Sequence, residues 1–174
     1  FELYREYSKR VMSVIGRFSP LVEQVSVDEA FVDVRGSRLR FGKPMHIAGE
    51  IRRQIREEIG LPASVGIAST KSVAKIASSN AKPDGVLLVP AQATIEFLHG
   101  LPVGALWGVG AKSAQVLERE GIETIGQLAE HPLPRLSRLL GAAAAHSLHD
   151  LAWGIDPRPV TVSREEIGRA SCRE

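Results

Sequence analysis

Two adjacent carboxylates, Asp28 and Glu29, lie in a segment rich in β-branched residues, which predicts extended chain around them. Because successive side chains of a strand point to opposite faces, both can reach one site only where the chain bends. Burying two unpaired carboxylates is costly, which favours a functional role. Their hard oxygen ligands suit Mg²⁺, and two such ions can promote phosphoryl transfer. Acids exposed at an ordinary strand turn are the alternative, and the dipeptide alone favours it.

Three lysines and no acidic residue lie between Pro62 and Pro83, in a chain whose net charge is only +2. Lys71 and Lys75 are four residues apart and therefore share one face of a helix predicted over 70–79. Lys82 follows in the turn after that helix, where it could simply interact with the helix dipole. A local cationic stretch of this kind could contact nucleic acid, but a solvated cationic face is an equal alternative.

Two glycines, Gly108 and Gly110, come just before a predicted helix that carries Lys112 and Ser113 near its start. Such a turn presents backbone amides and the positive end of a helix to a phosphate. An ordinary turn between two helices has the same pattern, so the glycines alone are weak support for a binding site.

The elements that must position these residues change in type near residue 90. Up to that point helical and strand patterns alternate, which predicts a small mixed sheet with helices on one face. After Pro90, short helical pieces separated by Gly and Pro continue to about Gly154 without a convincing strand. The chain is therefore predicted to be α+β, with a domain boundary between about Pro90 and Val103. The predicted helices are 1–18, 44–59 (ended by Gly60), 70–79 and 142–153, and the predicted strands are 22–34 (two strands or one bent strand), 63–68 and 86–89.

Bulk composition predicts a globular chain, with 44% hydrophobic and 24% charged residues among 174. No apolar run approaches the roughly 20 residues that a membrane helix needs, so no membrane partner is expected. The single cysteine, Cys172, excludes an intrachain disulfide and makes a reducing cytoplasm the expected location. The start at Phe1, inside a helical pattern, indicates a sequence that begins within a longer protein. The last eight residues resemble a translated sequencing adapter, so Cys172 is expected to have no role.

Three segments resemble the Y family of DNA polymerases, and together they cover most of residues 1–166. The segment 26–33 matches S-[IV]-D-E-A-[FY]-x-D at every fixed position, and 65–85 closely matches V-G-[IV]-[AS]-x-[NT]-K-x-x-A-K-x-A-S-x-x-A-K-P-x-G. The segment 101–128 resembles the helix-hairpin-helix-like part of the family's thumb, although Trp107 replaces a proline of the usual P-G-[IV]-G turn. Trp153, in a segment similar to the end of that thumb, is expected to pack in the core.

The resemblance implies a specific domain organisation. Residues 1–95 would form a partial polymerase palm, and residues 96–162 a small all-α thumb with a helix-hairpin-helix-like element. Residues 163–174 would be the start of a linker followed by the adapter-like tail. The first palm strand with a third metal carboxylate, the fingers and the C-terminal DNA-binding domain have no counterpart in these 174 residues.

The resemblance also implies roles for individual residues. Asp28 would bridge two catalytic metals, and Glu29 would bind the metal nearest the primer 3′-hydroxyl. Asp33, the trailing acid of the motif, is interpreted as structural. Lys82 and Lys75 would lie at the triphosphate of the incoming nucleotide. The residues expected to contact DNA are Lys71, Gly108, Gly110, Lys112 and Ser113.

The implied function is template-directed, low-fidelity synthesis past DNA damage, with two Mg²⁺ ions, primer-template DNA and deoxynucleoside triphosphates. A monomer is expected, and a sliding clamp could be contacted through a C-terminal part of the parent protein. The 174 residues alone are expected to be inactive, because two carboxylates cannot hold two metals unaided. A non-catalytic DNA-binding module that keeps only the thumb grip is the alternative from another class. A nucleotide cyclase is a further alternative, which the lysine helix and the thumb disfavour.

Overall fold

The computed structural model describes residues 2–162, so the adapter-like tail and Cys172 lie outside the described residues. Helices and strands are both present, which confirms the α+β prediction. Within the described residues the chain divides into two compact units, one formed by residues 2–61 together with 159–162, and the other by Pro62–Arg158. In the described part of the chain, no helix is long and apolar enough to cross a membrane.

The first unit contains three helices and one β-hairpin within its described residues. Helix α1 and helix α3 pack against each other through buried Val14, Ile47 and Ile55. Helix α3 ends at Gly60, which adopts φ +78° and donates its amide to the carbonyl of Arg56, as a C′ glycine does. The elements are α1 (Glu2–Gly16), β1 (Val22–Gln24), β2 (Ala30–Val32), α2 (Arg38–Phe41) and α3 (Pro44–Ile59).

The second unit begins with a strand–helix–strand segment and continues with short helices. Strand β3 pairs in parallel with β4, with Gly66 opposite Leu87, and the helix α4 connects them. The elements are β3 (Val65–Ile67), α4 (Lys71–Asn80), β4 (Val86–Leu88), α5 (Thr94–His99), α6 (Ala111–Arg119), α7 (Ile125–Glu130), α8 (Leu133–Leu140) and α9 (Ala142–Ala152).

The prediction of one small mixed sheet is wrong for residues 2–162, where the strands form two separate pairs. Strands β1 and β2 pair in an antiparallel hairpin, and β3 and β4 form a parallel crossover pair. Each of these four strands is three residues long.

The division into units falls at Leu61, before the predicted boundary near Pro90. The cause is a shared hydrophobic core, since α4 and Val89, which follows β4, bury apolar side chains together with the later helices. This core contains Val73, Ile76, Ala77, Val89, Leu98, Val103, Leu106, Leu117, Ile122, Ile125, Leu128, Leu136, Ala145 and Leu148. The assignment of 1–95 to a palm and 96–162 to a thumb stays a prediction.

Candidate functional site

The carboxylate pair lies in the turn between β1 and β2. The carbonyl of Glu29 accepts hydrogen bonds from the amides of Val25 (2.9 Å) and Ser26 (3.2 Å), which close the turn. Residues 26–28 form a bend, and Ser26 Oγ donates to Asp28 Oδ1 at 2.6 Å. The chain therefore bends where the two side chains would need it to bend.

Asp28 and Glu29 are both exposed, so the expectation that they are buried at a cost in free energy is wrong. No group of three or more His, Cys, Asp or Glu side chains that could hold a metal occurs within residues 2–162. Mg²⁺ in phosphoryl-transfer sites commonly takes one or two carboxylates from the protein and its other ligands from phosphates and water. The donor set of the turn fits such an ion and does not fit a metal enclosed by protein ligands.

Asp33, at the end of the same motif, is held by hydrogen bonds from neighbouring residues. Its carboxylate accepts from Arg35 Nε and Nη2 at 2.5–3.0 Å and from the Arg35 amide at 3.0 Å. The hydrogen bonds from the Arg35 side chain hold the pKa of Asp33 below its usual value. Ser19 Oγ donates to the Asp33 carbonyl at 2.6 Å, so the residue fixes the end of β2 on both its main chain and its side chain.

Helix α4, which carries Lys71 and Lys75, packs directly on β3. A Cβ atom added to Gly66 would lie 2.0 Å from the carbonyl oxygen of Ala74 and 2.3 Å from the amide nitrogen of Ser78. Only glycine permits this close approach of backbone to backbone. Lys71 and Lys75 of α4 are partly exposed, and Lys82 is exposed in the turn that follows.

The N-terminus of α4 is held by a residue that the sequence analysis missed, Asp156. Its Oδ2 accepts from the amide of Ser72 at 3.0 Å and from Arg158 Nη2 at 2.9 Å, while its Oδ1 accepts from Arg158 Nε at 2.6 Å. The Asp156 side chain is 1% exposed. Burial acts to raise the pKa of Asp156, but the hydrogen bonds from Arg158 and Ser72 outweigh it, and the pKa lies below its usual value. A detectable signal was the spacing Asp-x-Arg, which occurs at Asp33 as well.

Trp107 connects α4 to the turn that contains Gly108 and Gly110, which is called the glycine hairpin below. Lys75 Nζ lies 5.8 Å from the centre of its ring, and Arg158 Cζ lies 4.1 Å from it. Both distances are within the range of cation–π attraction. The residue that replaces the expected proline therefore has its own role, because it brings a lysine of α4 next to the turn at Gly108.

The glycine hairpin leads directly into helix α6. Gly108 adopts φ +99°, a conformation that favours glycine, and Gly110 is the N-cap of α6. Helix α6 has no side-chain cap and no acidic residue in its first turn. Lys112 is exposed in that turn, and Ser113 is partly exposed. Gly108, Ser113, Trp107 and Arg158 line a cleft of about 210 Å³.

The predicted site residues fall into two groups. Asp28 and Glu29 belong to the first compact unit, whereas the three lysines and the glycine hairpin belong to the second. Within the second unit, Trp107 brings Lys75 and the hairpin together.

Similarity to known proteins extends along nearly the whole chain. Residues 1–79 match the family described as IMS, the impB/mucB/samB family. DNA polymerase IV 2 of Mesorhizobium japonicum is 46% identical over 164 residues, which are 94% of this chain and 40% of that protein. A Y-family DNA polymerase chimera of Dbh and Dpo4 superposes with a TM-score of 0.85 at 28% identity, over 94% of this chain and 48% of the chimera.

The chain belongs to the Y family of DNA polymerases. A further solved structure, DinB from Sulfolobus solfataricus, superposes with a TM-score of 0.83 at 28% identity, covering 91% of this chain and 47% of that chain. The resemblance noted from the three motifs is thereby confirmed. The chain spans less than half the length of these relatives, so it corresponds to one part of a Y-family polymerase.

Proposed function

We propose that the chain is part of a template-directed, low-fidelity DNA polymerase that copies past damaged bases in the cytoplasm. The observation that carries the proposal is the exposed pair Asp28 and Glu29 at a bend between two short strands. The relative from Mesorhizobium japonicum named DNA polymerase IV 2 supports the same activity. Primer-template DNA and deoxynucleoside triphosphates are the proposed ligands, and the parent protein is proposed to act as a monomer that can contact a sliding clamp.

Asp28 and Glu29 are the residues that would hold the metals. Ser26 restrains Asp28 through its hydroxyl, which limits the rotamers of a ligand that would otherwise move freely in solvent. Two bound Mg²⁺ ions would supply activation of the primer hydroxyl and neutralisation of phosphate charge. The chain's own contribution is to orient these two carboxylates at one turn.

Lys82 and Lys75 are proposed to neutralise the triphosphate of the incoming nucleotide. Little covalent work falls to the protein in phosphoryl transfer, so positioning and charge are what it must provide. Lys82 is exposed, whereas Lys75 is positioned beside Trp107. The side chain of Lys82 therefore has more conformational freedom than that of Lys75. Lys71, on the same face of α4, is proposed to contact a DNA phosphate.

The helix-hairpin-helix-like segment is proposed to bind the DNA backbone. Gly108 and Gly110 expose main-chain amides at the start of α6, and Lys112 and Ser113 add a cation and a hydroxyl there. Contacts of this type give affinity without sequence readout, as a polymerase that copies any template requires. The palm at 1–95 and the thumb at 96–162 are part of this proposal.

The 174-residue chain is proposed to be inactive by itself, because the described residues offer two carboxylates for two metals. The decisive experiment is primer extension with Mg²⁺ by the complete gene product and by this chain. We expect extension only by the former. Templated extension by the 174-residue chain would refute the proposal that this chain is inactive by itself.

The metal assignment is tested in the complete gene product. We expect Asp28→Ala and Glu29→Ala each to slow extension by roughly 100-fold or more, since a lost metal ligand removes several kcal/mol of charge stabilisation. The control is Glu6→Ala, which removes an exposed acid from α1. Unchanged extension in both variants would overturn the assignment. DNA binding without extension by the unaltered complete protein would favour a non-catalytic binding module.

A further inference from the structure

The first turn of α4 depends on a side chain from the far end of the second unit. Thr70, the N-cap residue, makes no side-chain cap hydrogen bond to the backbone of the helix. The Ser72 amide is instead bound by the carboxylate of Asp156. A carboxylate at this position also interacts favourably with the positive end of the helix dipole. The Ser72 amide is therefore unavailable to a phosphate.

Arg158 connects the same carboxylate to Lys75. Its guanidinium forms two hydrogen bonds to Asp156 and lies over the ring of Trp107, where Lys75 Nζ also lies. The side chain of Arg158 is 47% exposed, whereas that of Asp156 is 1% exposed. The guanidinium of Arg158 thus contacts both the buried carboxylate of Asp156 and the partly exposed ring of Trp107.

We infer that Asp156 and Arg158 are positioning residues for Lys75, acting through the first turn of α4 and through the ring of Trp107. Asp156 fixes the start of the helix from which Lys75 extends. Arg158 fixes the indole ring on which the Lys75 ammonium lies. The inference rests on the proposed role of Lys75 in binding the phosphates of a nucleotide.

If Asp156 acts only through its charge, or instead by positioning Lys75, replacing it has opposite effects on the affinity for an anion. The inference is therefore testable. Replacing Asp156 by Asn removes a negative charge near the lysines, so charge alone would strengthen the binding of an anion. If the carboxylate positions Lys75, the same replacement weakens the binding of an anion. A role in stability alone would leave the affinity of the folded protein unchanged.

The probe is inorganic tripolyphosphate without metal, titrated into the 174-residue chain. Binding is followed by NMR signals of the α4 amides and of the lysine side chains. We expect saturable shifts at Lys75 in the unaltered chain and at least threefold weaker binding in Asp156→Asn. Exchange of the Ser72 amide with solvent should be faster in that variant.

The matched control is Asp33→Asn, which breaks a bidentate Asp-x-Arg pair of the same spacing in the other unit. It should leave the affinity for tripolyphosphate unchanged. Arg158→Lys keeps the positive charge and loses the planar group, so it should weaken binding as well. If Asp156→Asn does not fold, as judged by circular dichroism, Arg158→Lys decides the question.

The outcomes separate the inference from the proposed function. Equal or tighter tripolyphosphate binding by a folded Asp156→Asn variant would overturn the positioning role and leave the role of Lys75 intact. Absence of saturable shifts at Lys75 in the unaltered chain would overturn the phosphate-binding role of Lys75, and the inference with it.

Discussion

The carboxylate of Asp156 accepts a hydrogen bond at 3.0 Å from the backbone amide of Ser72, 84 residues earlier in the chain. The contact joins the segment after α9 to the first turn of α4 and so links the two ends of the second compact unit. A buried carboxylate is tolerated there because Arg158 and the Ser72 amide satisfy its oxygens. Loss of the carboxylate therefore affects both the helix start and the packing of Arg158.

The first prediction concerns the pH dependence of stability. The pKa of Asp156 is lower in the folded chain than its usual value near 3.9, so its charged form stabilises the fold above that pH. This contribution is lost as the pH falls through the usual value toward the folded pKa. We expect Asp156→Asn to lower the free energy of unfolding by about 2 kcal/mol at pH 7, as charge-assisted hydrogen bonds do.

The measurement is urea unfolding between pH 7 and pH 3, followed by the fluorescence of Trp107 and Trp153, both in the second unit. The difference between the unaltered chain and Asp156→Asn should shrink as the pH falls below about 4. Asp33, whose pKa is also lowered, contributes equally to both proteins and cancels in the comparison. A difference that does not change with pH would contradict the prediction.

The second prediction concerns the contact between β3 and α4. Gly66→Ala would place a methyl group 2.0 Å from the carbonyl oxygen of Ala74, an atom that cannot move without displacing the helix. We expect a loss of about 3 kcal/mol or more, at the upper end of the range for overpacking. Thermal unfolding monitored by circular dichroism measures the loss.

Gly49→Ala is the matched control for Gly66→Ala. Gly49 lies inside α3, and a Cβ atom added to it meets nothing within 4 Å. Because alanine is favoured over glycine in a helix interior, this replacement should stabilise the chain by about 0.5–1 kcal/mol. Equal effects of the two replacements would show that the close approach at Gly66 is not what determines the outcome.

Local patterns in the sequence predicted most of the elements. The isoleucine spacing and Gly60 predicted a helix that ends where α3 ends. The β-branched segment around Asp28 predicted two strands or one bent strand, and the structure has the two strands of the β1–β2 hairpin. These signals are local, because helix periodicity, C′ glycines and strand alternation depend on near neighbours. The family was identified from motifs of the same local kind.

Contacts between distant segments were not predictable from one sequence. The bond between Asp156 and Ser72 spans 84 residues, and no local pattern specifies which amide a distant carboxylate will meet. Trp153 was expected in the core but is 39% exposed, with its indole Nε1 donating to the carbonyl of Ala129 at 3.2 Å. An aromatic residue with a polar group satisfies that group at the edge of a core, which composition alone does not reveal.

The third prediction compares two threonines at helix starts. Thr124 Oγ1 accepts a hydrogen bond from the amide of Gln127 at 3.1 Å, and Gln127 Oε1 accepts one from the amide of Thr124 at 3.0 Å. Together they form a capping box at the start of α7. Thr70 occupies the same position at α4 but makes no cap hydrogen bond. We expect Thr124→Ala to cost about 1 kcal/mol and Thr70→Ala clearly less. Urea unfolding of both variants measures the difference, and a larger loss for Thr70→Ala would contradict the capping assignment.

The fourth prediction tests the proposed contact between the start of α6 and the DNA backbone. Lys112 is exposed in the first turn of a helix that has no acidic residue there, so it is available to a DNA phosphate. We expect the 174-residue chain to bind duplex DNA without sequence preference, and Lys112→Gln to weaken binding equally for duplexes of different sequence. Loss of one phosphate contact should reduce the slope of log affinity against log salt by about 0.9.

Fluorescence anisotropy of labelled duplexes at several salt concentrations gives both quantities for Lys112→Gln. Lys9→Gln is the control, because Lys9 is an exposed lysine on α1 with no proposed DNA contact. Both replacements remove one positive charge, so a general effect of net charge would appear in both. An equal reduction of the salt slope in Lys9→Gln would show that the contact is not specific to the hairpin. A sequence-dependent loss in Lys112→Gln would show that the side chain contacts bases instead of the backbone.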